Sequence, residues 1–128
     1  MKPDKKYCLQ VKRVYEASDA SDGYRILVDR LWPRGIRKED LILDRWLKEA
    51  APSNEVRKQF NHQIENYGLF AENYRKELDN NETAQMLVPF CRKLLCAQNV
   101  TLLYSAKDRE HNNAVVLCSW LNEKIKGE

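Results

Sequence analysis

The sequence predicts an α/β fold: a small layered domain with a short, mostly parallel sheet of three or more strands flanked by helices. Three observations carry this. Two runs, Tyr24-Arg25-Ile26-Leu27-Val28 and Val100-Thr101-Leu102-Leu103-Tyr104, are short, β-branched or aromatic, and mostly apolar on both faces. Strands covered on both sides read this way. Segments with three- and four-residue apolar spacing fill the chain between and after them. Strands separated by helices point to parallel pairing in layers.

In chain order, Cys8 to Tyr15 is a strand whose more polar face places it nearer an edge. Tyr24–Val28 follows, and its unbroken apolar run calls for helices on both faces. Pro52-Ser53 opens a helix, because Ser53 can accept from the amides of the first turn. A second helix runs from about Glu65 to Leu78, where Tyr67, Phe70, Ala71, Tyr74 and Leu78 share a face. A third, Glu82 to Ala97, carries Met86, Phe90 and Leu94 on one stripe with Leu87 and Cys91 beside it. Pro89 lies inside that pattern; it removes an amide donor at a cost of roughly 3 kcal/mol, which predicts a kink or a restart. After the strand Val100–Tyr104, a last helix from about Arg109 to Lys126 bears Ala114, Leu117, Cys118, Leu121 and Ile125. Val115 and Trp120 widen its apolar arc, so it packs deeply against the sheet.

A length of 128 residues suits one domain covering 1–128. Hydrophobic residues at 43% and charged residues at 32% describe a globular chain, neither disordered nor fibrous. Lys and Arg number 22 against 19 Asp and Glu, and the surplus of +3 is spread without a basic block, so nothing prompts a nucleic-acid-binding role. The start, Met1-Lys2-Pro3-Asp4-Lys5-Lys6, is charged and has no apolar run of signal-peptide type. No stretch approaches the roughly 20 apolar residues of a membrane helix, so a cytoplasmic location and no membrane partner are expected. The four cysteines then read as thiols, buried as small hydrophobes, with Cys8 and Cys118 among apolar neighbours. No GxGxxG or GxxxxGKS/T loop occurs, and the two histidines lack a carboxylate pattern around them. No cofactor and no metal site are therefore expected. His62, near the end of the Ser53 helix, reads as structural or exposed.

Each buried strand ends in a dense polar turn. The first leads into Asp29-Arg30-Leu31-Trp32-Pro33-Arg34-Gly35, the other into Ser105-Ala106-Lys107-Asp108-Arg109-Glu110-His111-Asn112-Asn113. If these strands are parallel neighbours, both turns flank one crevice beyond their carboxyl ends, where open sheets bind ligands. The start of the last helix adds unpaired amides, and Arg30, Arg34 and Lys107 add charge suited to an anion. His111 and Asp29 are the candidate catalytic pair; Arg30, Trp32, Arg34, Lys107, Asp108, Asn112 and Asn113 are the candidate ligand contacts. Each has an ordinary explanation too. Asp108 is a natural N-cap, and Trp32-Pro33 is a rigid packing turn. His111 sits at the edge of the apolar stripe, and Asp29 can form an internal ion pair with Arg25, Arg30 or Arg34. Of Asn112 and Asn113, one is expected on the backbone at the helix start and the other free for a ligand. Ser105, six residues before His111 and without a GxSxG elbow, makes a poor nucleophile.

The blocks from Tyr24 to Gly35, Ala51-Pro52-Ser53, Thr101 to Asp108 and Glu110-His111-Asn112-Asn113-Ala114 resemble the YeaO-like bacterial family of domains of unknown function. The likeness spans nearly the whole chain. It implies a stand-alone α/β protein and supplies no substrate or catalytic residue. One departure shows: where the resemblance leads one to expect Gly-His-Asp, this chain has Asn61-His62-Gln63, without the acid. Two readings of function follow. In the first, the chain binds or acts on a small anionic molecule, phosphorylated or nucleotide-like. Arg34 and Lys107 hold the anion with the amides of Asp108–His111, and His111 acts as acid or base tuned by Asp29. In the second, the chain is a non-catalytic regulatory or protein-interaction module whose polar turns brace the fold.

Overall fold

Four strands, Leu9–Arg13 (β1), Tyr24–Leu27 (β2), Arg45–Trp46 (β3) and Val100–Tyr104 (β4), pair in parallel in the computed structural model, which describes residues 7–127. The charged start at residues 1–6 lies outside the described residues. The strand order is β1-β4-β2-β3. The two apolar runs are thus neighbours in the middle, with Tyr24 opposite Val100 and Leu27 opposite Leu103. The Val28 amide donates to Leu103 O at 3.1 Å and carries the pairing one residue further. β1, with its polar Gln10 and Lys12, is at one edge, as its alternation predicts. β3 closes the other edge, and with two residues it is too short to leave a periodic signal.

Four α-helices follow the predicted order: Asn54–Phe60 (α1), Tyr67–Asp79 (α2), Glu82–Leu94 (α3) and Asn113–Lys126 (α4). Ser53 caps α1, its Oγ accepting from Val56 N at 3.2 Å. α3 runs without a restart through Pro89, which is exposed. Ala84, Leu87, Val88 and Cys91 are buried on both sides of that proline, so packing outweighs the missing backbone bond. α4 begins at Asn113 rather than near Arg109. Residues 108–112 form a turn of their own because the Asp108 carboxylate takes the amides of Glu110 and His111, an alternative to helix that Asp readily offers.

The two faces of the sheet are covered differently. Ile26, Val28, Leu102 and Tyr104 join the main core with apolar residues of all four helices. On the other face, Leu27, Leu103 and Val14 pack under Trp32, Ile36, Leu41, Leu43 and Trp46. The connection between β2 and β3, with β3 itself, provides that cover. This corrects the expectation of helices on both faces: an apolar run demands a cover, not a particular kind of cover. Cys91 and Cys118 are buried free thiols, and burial pushes them up to about 12 and about 11. Cys8 and Cys96 are exposed, correcting their reading as buried; one precedes the edge strand and the other follows the last turn of α3. No helix among the described residues is long and apolar enough to cross a membrane.

Candidate functional site

Because β2 and β4 lie side by side in parallel, the turns after them leave the sheet at the same end. Asp29 joins them. Its Oδ2 accepts from the backbone N and Oγ of Ser105 at 2.9 and 2.8 Å, and its Oδ1 accepts from Asn113 Nδ2 at 3.1 Å. Asn113 Nδ2 also donates to Val28 O at 3.1 Å, so this side chain ties the crevice together where a free ligand contact was expected. The expected ion pair between Asp29 and an arginine does not form. Arg25 pairs instead with Asp22, at the opposite end of the strand.

His111 belongs to the second turn. Its Nδ1 lies 3.0 Å from Asp108 Oδ2, and its ring meets Tyr67 edge-on at 5.0 Å between centroids. Tyr67 OH donates to Asn112 O at 3.0 Å, and burial raises the pKa of that hydroxyl. The backbone amides of Glu110 and His111, with help from the imidazole, hold the Asp108 carboxyl below the usual carboxylate range. Asp108 is not the helix cap. That role falls to Asn112, whose Oδ1 accepts from Val115 N at 3.0 Å while its Nδ2 donates to Asp108 O at 2.9 Å.

The remaining candidates divide. Trp32 Nε1 donates to Ile36 O at 2.6 Å and its ring meets Trp46 at 5.5 Å, a packing role. Trp46 Nε1 in turn donates to Asp29 O at 2.8 Å. Arg30 Nη2 reaches Pro52 O at 3.1 Å and Ala51 O at 3.5 Å. Arg34 and Lys107 are exposed, and neither makes an ion pair among the described residues.

A third wall, absent from the candidates read in the sequence, is the segment just after β1. Tyr15 OH donates to Arg34 O at 2.8 Å, and the Arg13 guanidinium lies over the Tyr15 ring at 4.6 Å. Arg13 Nε donates to Ser105 O at 3.2 Å and Ala106 O at 2.9 Å, and Arg109 pairs with Glu16 at 3.2 Å. The signal was available: β1 is the third parallel strand, so its carboxyl end faces the same crevice. His62 joins by rings alone, through Phe60 at 6.1 Å, Phe60 to Tyr67 at 5.4 Å, and Tyr67 to His111. Among the described residues, no three or more His, Cys, Asp or Glu side chains are grouped to hold a metal ion.

A family model described as the inactive DUF488-N3 subclade, DUF488-N3i, matches residues 8–128. The chain belongs to this DUF488 family. It is 51% identical over 114 residues to the Uncharacterized protein YeaO of Escherichia coli (strain K12), which covers 88% of this chain and 96% of that relative. It is 40% identical to uncharacterized proteins of Mycobacterium bovis and Mycobacterium tuberculosis, over 89% of this chain and 93% of each relative. No solved structure matches it. The YeaO-like resemblance read from the turns after β2 and β4 therefore holds for the DUF488 chain as a whole. The departure at Asn61 has a physical counterpart: Asn61 and His62 have φ of 45° and 57°, where the glycine expected at the first of these would sit without strain.

Proposed function

We propose that this DUF488 chain is a non-catalytic, cytoplasmic binding or regulatory domain whose crevice residues hold the fold in shape. One observation carries the reading: Asp29, the carboxylate expected to tune His111, accepts instead from neutral donors of Ser105 and Asn113, while the His111 ring turns to Asp108. A base that must orient an imidazole or take a proton needs a lone pair directed at that partner. The description of the matching subclade as inactive supports the same reading. On this view Asp29→Ala removes three hydrogen bonds to a charged group and lowers stability by roughly 2–4 kcal/mol. Urea denaturation measures that, and a change within about 0.5 kcal/mol, as for an ordinary surface site, sinks the reading.

A second reading is favoured by the exposed Arg34 and Lys107, which make no ion pair among the described residues: the rim of the crevice binds a small anion. Thermal melts decide it. Millimolar phosphate or nucleotide then raises the melting temperature of the parent protein but not of Arg34→Ala, since a ligand stabilises only the state it binds. The brace reading expects no such shift.

A further inference from the structure

Asp29 and Arg30 are consecutive, so their side chains leave the end of β2 in different directions. Asp29 turns to Ser105 and Asn113, and Arg30 turns to Ala51 and Pro52. Arg30 there lines a hollow of about 540 Å³ with Glu49, Ser53, Lys76, Glu77 and Asn80. Its guanidinium is incompletely satisfied. Nη2 rests on two backbone carbonyls, and Nε is the sole buried side-chain polar atom among the described residues that lacks a hydrogen-bond partner. No carboxylate among the described residues pairs with it. Arg30 is half-buried, and a guanidinium whose donors are only partly met has much to gain from an anionic group that reaches its open edge.

The sign of the lining selects the ligand. Two cations, Arg30 and Lys76, line the hollow together with two carboxylates, Glu49 and Glu77, and Lys76 also pairs at 3.7 Å with the exposed Glu72 one turn before it. A simple anion gains from one pair what it loses to the other. A molecule bearing both signs meets both. We infer that this hollow binds a small zwitterion, an amino acid or short peptide, with its carboxylate on Arg30 and Lys76 and its ammonium toward Glu49 and Glu77. Arginine suits the first task because its planar fork matches a carboxylate. Glu77 Oε1 accepts from Ser53 N at 2.9 Å, which leaves Oε2 for the ammonium. The size falls within the roughly 300–1,000 Å³ of small-molecule sites. The inference rests on the chain being a binding domain but not on the bracing of the crevice, which the Asp29→Ala measurement decides separately.

Titration of the ¹⁵N-labelled protein with glycylglycine, followed by amide shifts in NMR spectra, tests it. Acetate and methylammonium serve as the two half-ligands. Saturable shifts are expected at Ala51, Ser53 and Asn80, with each half-ligand binding at least roughly tenfold more weakly than the dipeptide. Arg30→Gln, Lys76→Gln and Glu49→Gln should each weaken binding, and Arg34→Ala should not. Lys76 and Glu49 are exposed, so those two variants keep the test open if Arg30→Gln fails to fold. Acetate binding as tightly as the dipeptide would overturn the assignment, as would an absence of saturable shifts. Shifts centred on Lys107 and His111 would also overturn it and move the ligand to the crevice.

Discussion

Asp22 and Asp29 stand at the two ends of β2 and hold the sheet by different means. Asp22, 4% exposed like its partner Arg25, takes Lys12 Nζ at 3.0 Å, the Arg25 guanidinium and the Asp19 amide at 3.0 Å. Burial alone would raise its carboxyl, but those three bonds prevail and keep it below the usual carboxylate range. Asp22→Ala strands the Arg25 charge in the interior, which costs roughly 3–5 kcal/mol. It should therefore destabilise the protein more than Asp29→Ala, whose lost partners are neutral; urea midpoints of the two variants give the order, and the reverse order would contradict it. Neither set of partners was legible in the sequence. Arg25, Arg30 and Arg34 sit near Asp29 in the chain and suggest an ion pair, yet its actual donors lie 76 and 84 residues away. Local sequence reports which groups need partners; topology decides which partners arrive.

The elements themselves were far more legible, because each is written in a local period. The apolar stripes gave α2, α3 and α4, and the unbroken runs gave β2 and β4. The misplacements have local causes. Asp108 closes a turn with its own carboxylate and so delays α4 to the Asn112 cap. Pro89 would have interrupted α3 had propensity decided, but the buried faces on either side hold the helix together. That leaves an unrelieved local penalty. Because Pro89 is exposed, Pro89→Ala removes the ring clash and restores an amide donor without disturbing the core. The variant should be more stable by roughly 1–3 kcal/mol, seen as a higher urea midpoint with an unchanged slope. A loss of stability would show that the proline shapes the packing of α3.

For the molecule as a whole, the pH dependence of stability should be a plateau with two limbs of known origin. On the acid side, Asp22, Asp79 and Asp108 have carboxyls held below their ordinary range. Asp79 owes this first to Trp120 Nε1, which donates at 2.9 Å, and then to Lys124; the contact fastens the end of α2 to α4. A depressed carboxyl contributes stability that is complete above the unfolded value of about 3.9 and is lost as pH falls through the folded one. On the alkaline side the sign reverses. Cys91 and Cys118 are pushed up to about 12 and about 11 by burial, whereas an unfolded thiol ionises near about 8.5. Their stabilisation is complete below that value and is lost as pH rises toward the folded ones, because only the unfolded chain can then release the proton. Buried Tyr74, whose hydroxyl is raised by burial and by the nearby Asp29 and Glu77 charges, adds to this limb at higher pH. Urea midpoints across the pH range should therefore be flat from about pH 5 to 8 and fall on both sides. Asp79→Asn should shallow the acid limb and leave the alkaline one, and Cys91→Ala should do the converse. Midpoints that keep rising above about pH 9, or an acid limb indifferent to Asp79→Asn, would show that other groups control the balance.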